Sequence, residues 1–148
     1  MGNESGIHFE MAYYLQGPFL TAAVFCEEAR QDRDGFLSLS RITDHIVVLG
    51  VDPNVMPPTQ VVTTLVVIFR SGSFRGSSQI TVNQISPSGL STPLFSFPTF
   101  FQGDDQGAGV IAKVGFTVSE VGLHWFEISV GGQPKTRIPL NVSYGVRG

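Results

Sequence analysis

The chain has 148 residues, of which 42% are hydrophobic and only 14% charged, and it carries a net charge of -3. That length specifies one domain with room for a real core, and a charged share below the usual ~25% leaves a surface that favours association. Nine scattered basic residues, with only Lys113 and Lys135 as lysines, argue against a nucleic-acid partner, because phosphate binding needs clustered Lys and Arg.

In chain order, residues 1–18 form an N-terminal arm or short extra element, and residues 19–148 form the domain. Within the arm, Ile7 to Leu15 fits either a short helix or a strand, and Gly17-Pro18 stops it. Nothing in the arm has a basic region followed by an apolar core, so no signal peptide is expected. Cys26 is the only cysteine. No internal disulfide can form, the thiols for a Cys-based zinc site are missing, and a reducing cytoplasmic location fits. No apolar run is long enough to cross a bilayer as a helix, so no membrane partner is expected.

Phe19 to Glu28 reads as a strand with Leu20, Ala22, Val24 and Cys26 on one face. Asp32-Arg33-Asp34-Gly35 then closes a hairpin-type turn, where glycine supplies positive φ at little cost. Phe36 to Val48 returns as a single strand, with imperfect alternation that predicts a bulge near Arg41. A proline-bearing loop, Asp52 to Pro58, leads into Val61 to Phe69.

That nine-residue stretch, VVTTLVVIF, has no charge, glycine or proline. Its β-branched residues suit a pleated strand better than a helix. Both alternating faces are apolar, which predicts a central strand covered above and below. Ser78 to Ser86 is the next strand. Leu90 to Phe97 returns along an edge, since Pro93 lacks an N–H. Pro98 to Gly109 reads as a long loop. Gly109 to Val118 and Leu123 to Val130 are strands joined at Ser119-Glu120-Val121-Gly122. Gly131-Gly132 makes a two-residue hairpin. Lys135 to Tyr144 is last, with Pro139 again suggesting an edge. These elements predict an all-β, antiparallel two-sheet sandwich of seven or eight strands, immunoglobulin-like in architecture.

Three segments carry a resemblance. Leu20 to Arg30 (LTAAVFCEEAR) with Asp34 to Leu39, then Ile42 to Ile46, and later Gly122 to Ile128 (GLHWFEI) resemble a bacterial family of single-domain β-sandwich proteins of unknown function. The resemblance implies a fold. It implies no activity and no catalytic residues.

Residues able to carry chemistry are few and scattered. His8, His45 and His124 show no spacing that places two metal ligands on one element, so neither a metal nor a cofactor is expected. His124 falls on the apolar face of its strand and reads as a hydrogen-bonded core or corner histidine. Asp44-His45 reads as a solvated pair and not an acid/base unit, since neighbours on a strand point to opposite faces. No Gly-x-Ser-x-Gly elbow exists. Asp32, Asp34, Asp104 and Asp105 lack a calcium-loop spacing and read as turn formers, and GDDQGAG (103–109) reads as a flexible acidic loop.

The residues singled out for protein contact are Phe95, Phe97, Phe100 and Phe101, four phenylalanines within seven residues, together with Trp125. Exposed, each such ring forgoes roughly 1.5–3 kcal/mol of burial, so they either cap the open end of the core or form a contact patch. The expected function is a non-catalytic protein-interaction or assembly module, with a protein partner or a second copy of the chain. The alternatives are a carbohydrate-type ligand-binding sandwich using Trp125, Tyr13 and Tyr14, and a hydrolase with a convergent site.

Overall fold

The structure, a computed structural model, describes residues 16–147. The expectations for residues 1–15, including helix or strand for Ile7 to Leu15, lie outside the described residues. Among the described residues nine strands follow one another: β1 (Phe19–Gln31), β2 (Leu37–Thr43), β3 (His45–Gly50), β4 (Thr59–Arg70), β5 (Arg75–Ile85), β6 (Ser91–Gln102), β7 (Gly107–Val118), β8 (Gly122–Val130) and β9 (Gln133–Val146). They form a four-stranded sheet in the order β2-β1-β4-β7 and a five-stranded sheet in the order β3-β9-β8-β5-β6. The result is the expected immunoglobulin-like sandwich. All pairings are antiparallel except β3 with β9.

The core lies where the two sheets face. Leu65, Val67 and Phe69 of β4 enter it from one side. Ile80 and Val82 of β5, Phe126, Ile128 and Val130 of β8, and Leu140 and Val142 of β9 enter from the other. Phe25, Phe116 and Phe126 meet at its centre, with ring centroids 4.8 Å apart for Phe25–Phe126 and for Phe116–Phe126. Each fully buried side chain of this size contributes roughly 1.5–3 kcal/mol relative to exposure.

The other face of β4 is also covered, by part of its own sheet. β1 pairs with β4 only from Phe19 to Cys26, while its pairing with β2 runs on to Gln31. Past Cys26 the β1–β2 hairpin therefore leaves the sheet and turns back across its outer face. Leu37 Cδ1 comes within 3.5 Å of the Cβ position of Gly109 on β7. The bend falls at Glu27 and Arg41. Arg41 takes a left-handed φ of 55°, and its guanidinium Nε donates to Glu27 at 2.8 Å. The pairs on either side, Cys26 with Ile42 and Glu28 with Ser40, keep one register. The bulge expected near Arg41 is thus corrected to a left-handed bend without a register shift.

This third layer explains an uneven strand face. Thr64 and Val66 are 4% and 1% exposed, while Val62 on the same face, beyond the hairpin, is 66% exposed. Cys26 lies at the fold of the hairpin, fully buried, and burial pushes its thiol pKa up. We expect a thiol reagent to label native Cys26 through opening of the hairpin, at a free energy below that of global unfolding, as measured by labelling rates across denaturant. Equal free energies would show that the hairpin opens only with the whole domain.

Four strand expectations are corrected. Phe36 to Val48 is two strands, because the chain crosses at Asp44 from the edge of one sheet to the edge of the other; this makes nine strands in place of seven or eight. A register shift between Leu20 and Ala22 re-phases β1, so Leu20, Ala23 and Phe25 pack on the core and Cys26 is buried on the opposite side. The expected loop from Pro98 is strand as far as Gln102. Pro98 is tolerated there because β6 pairs with β5 alone. Finally, β9 is internal, but β3 flanks it only from Asn141 onward. Pro139 sits where β9 has β8 as its one neighbour. The edge inferred from Pro93 agrees with the position of β6.

Candidate functional site

The titratable side chains come apart rather than together. His124 is buried, at 1% exposure. Its Nε2 donates to the Glu120 carbonyl at 3.0 Å, since a carbonyl only accepts. Its Nδ1 then accepts from the Gln84 side-chain amide at 3.4 Å, and that amide also donates to the Thr117 carbonyl at 3.0 Å. These bonds fasten the β7–β8 turn to β5, the corner role its strand position predicts.

His45 and Asp44 are exposed and bonded to each other at 2.8 Å. The expected divergence onto opposite faces is corrected, because Asp44 lies between β2 and β3 and not within a strand. The bond from His45 holds the Asp44 carboxyl below its ordinary range. His8 lies outside the described residues. Among the described residues, no group of three His, Cys, Asp or Glu side chains is placed to hold a metal ion.

The aspartates shape turns. Asp32 accepts from Ser38 and Arg30, and these partners, Ser38 first, lower its pKa. Asp34 accepts from the Phe36 N–H at 3.3 Å. Asp104 and Asp105 both have left-handed φ, 50° and 52°, a conformation Asp tolerates better than most residues. The acidic loop they occupy is well tied, contrary to its flexible reading. Arg70 clamps Asp105 through three contacts of 2.6–3.2 Å, and the Ser71 and Asp105 N–H groups donate across the loop at 2.8 Å.

The five contact candidates separate. Phe101 is fully buried against Phe69 and Phe74, so as a contact residue it is corrected to a core residue. Phe95 and Phe97 stack on each other, half-buried, and pack on the core. Phe100 alternates outward and is exposed, apart from the other rings. Trp125 is partly exposed on the outer face of the five-stranded sheet. Alternation along β6 could have made this division, had Pro98 not been read as the end of the strand.

Two surface features remain. One is a cleft between the folded-back hairpin and the four-stranded sheet. Its polar end, about 600 Å³, is lined by Glu28, Arg30, Ser38, Ser40, Thr64 and Lys113, among others. Its apolar end, about 590 Å³, is lined by Phe36, Leu37, Ile68, Gly107, Gly109 and Ile111, among others.

The other feature is the outer face of the five-stranded sheet. There Val47, Leu49, Leu123 and Trp125 are all exposed large apolar side chains. Register sets them on a diagonal across β9. Trp125 stands beside Pro139 and Leu123 beside Asn141 on one side, and Val47 beside Ser143 and Leu49 beside Gly145 on the other. The small Ser143 and Gly145 leave the larger side chains of β3 standing proud of β9. Val47, Leu49 and Leu123 were missed from sequence because nothing in the strand pattern pairs β3 with β9. The available signal was β8, whose outward positions Leu123 and Trp125 are apolar although His124, Phe126 and Ile128 already fill the core side.

The two sheets make this chain an all-β, immunoglobulin-like sandwich, with exposed apolar side chains on both sheets and four of them on the outer face around β9. A family of unknown function (DUF6941) matches residues 21–143, and the chain belongs to that family. No curated protein matches the sequence. Among solved structures it is similar to an immunoglobulin-like protein from Pseudomonas aeruginosa, with 10% identity, 86% of this chain and 98% of that chain covered, and a TM-score of 0.36. No helix among the described residues is long and apolar enough to cross a membrane.

Proposed function

We propose that this protein is a non-catalytic interaction module that binds a protein partner through the outer face of its five-stranded sheet. One observation carries the reading: Val47 and Leu49 of β3 and Leu123 and Trp125 of β8 are exposed on one sheet face, on the two strands that flank β9. Contiguous apolar patches on soluble proteins mark interaction sites. Tryptophan is also the residue type most enriched among binding hot spots. The Arg137–Glu127 ion pair at 2.7 Å gives the surface a charged border next to Trp125, and polar rims of this kind surround the centres of interfaces. Tyr13 and Tyr14, which a carbohydrate platform would also use, lie outside the described residues.

The test is site-specific cross-linking from a photoreactive residue at Ser143, in the middle of the patch, in cells of the source organism. A discrete cross-linked protein is expected. Leu123→Asp should abolish the cross-link while leaving thermal stability within about 1 kcal/mol, as expected for an exposed site. With the partner in hand, Trp125→Ala should weaken binding by about 2 kcal/mol or more. Unchanged cross-linking in Leu123→Asp would sink the reading.

A further inference from the structure

Among the described residues the two sheets have four edges, and three of them are guarded. β2 is turned out of its sheet with the hairpin. β3 has only six residues. β6 carries Pro93 and Pro98 and a register shift opposite Val82 and Asn83. β7 differs. It is twelve residues long, pairs with β4 in unbroken register from Gly107 to Val118, has no proline, and carries one charge, Lys113. Among the described residues its other edge has no hydrogen-bonded neighbour strand. Proteins normally blunt a long, regular edge of this kind with prolines, bulges or charges, because its free N–H and C=O groups recruit another strand.

We infer that β7 is a self-association edge, along which two copies of this chain pair antiparallel about a two-fold axis at Ala112, joining their four-stranded sheets into one of eight. The sequence of β7 selects both the occupant and the register. A two-fold axis perpendicular to the sheet keeps outward residues opposite outward residues. An axis at Lys113 would stack two ammonium groups, a repulsive arrangement. The axis at Ala112 places Lys113 opposite Ile111 of the second copy, so its aliphatic stem covers a partly exposed apolar side chain. Gly109 then faces Gly115, which leaves room for the overhanging hairpin of each copy. On the inner side Val110 faces Val114, and Phe116 faces Ala108, large against small. Ala108, Val110 and Ala112 are only half-buried, so the flank of the core is itself apolar and uncovered there.

Eleven paired residues in each copy, 107 to 117, span roughly 36 Å, which gives an interface near the low end of the ~1,200–2,000 Å² seen in stable complexes. A micromolar dissociation constant is therefore expected. The inference stands on β7 alone and does not need the Trp125 face.

Sedimentation velocity of the full chain, from low micromolar to sub-millimolar concentration, should show a monomer–dimer equilibrium. Ile111→Lys sets lysines opposite each other twice across the axis and should weaken dimerisation about tenfold. Ile111→Glu faces Lys113 and should preserve or tighten it. Ile111→Lys combined with Lys113→Glu should restore it. The proposal is overturned by a strict monomer, by Lys and Glu at position 111 acting alike, or by a dimer that Leu123→Asp abolishes and Ile111→Lys does not. The last result would place the second copy on the five-stranded sheet instead.

Discussion

Replacing Phe126 with alanine is expected to destabilise the domain by about 3–5 kcal/mol, the range for a fully buried phenylalanine. Phe126 has no exposed surface and holds two of the three ring contacts at the centre of the core, to Phe25 on β1 and Phe116 on β7. It therefore joins the two sheets rather than neighbours within one. The cavity would be bounded by two other rings whose strands are fixed in ladders, so the site cannot collapse to fill it. Phe100→Ala provides the contrast. That ring is 56% exposed on an edge strand, and its loss should cost under about 0.5 kcal/mol. Urea unfolding of both variants measures the difference directly. Similar costs would mean that the phenylalanines of this chain do not divide into core and surface as described.

The second large effect tests the folded-back hairpin. Val66→Asp should cost roughly 3–5 kcal/mol near neutral pH, as an uncompensated buried charge does. Val62→Asp, on the same face of the same strand, should cost less than about 1 kcal/mol because that position is open. The buried carboxyl would have its folded-state pKa raised by desolvation above the unfolded value near 3.9. Its penalty is therefore smallest below the unfolded pKa, where both states bind the proton. The penalty grows as pH rises to the folded-state pKa and is constant above it. Chemical unfolding of Val66→Asp between acid and neutral pH, set against the unsubstituted protein, reads this slope. A flat difference, or equal costs at Val62 and Val66, would mean that the hairpin does not seal this face.

What the sequence made legible is what depends on local rules. The central strand, the Asp32–Gly35 turn and the buried alternation of His124, Phe126, Ile128 and Val130 all follow from propensity and period. So does the Gly131-Gly132 hairpin, whose glycines both take positive φ, 58° and 82°. What stayed hidden depends on long-range geometry. The bend that throws the hairpin over β4 is marked only by Arg41, an unremarkable residue type in a left-handed conformation. The crossing at Asp44 changes a strand's partner without interrupting its pattern. Pro98 was misread because whether proline ends a strand depends on which side lacks a neighbour, a property of the sheet and not of the residue. The apolar side chains on the outer face of the five-stranded sheet were hidden for the same reason. The four come from two strands that are far apart in sequence and joined only through β9.

The pairing of β3 with β9 also sets an order of events. Residues 45–50 find their partner in residues 141–146, so about ninety further residues must leave the ribosome after β3 before that seam can zip shut. Until then the nascent chain carries the 45–50 segment with no mate, and the hydrophobic interior beneath Val48 and Val142 stays unroofed. Such distant matching slows maturation, and it makes this seam the place where a chaperone would be needed longest.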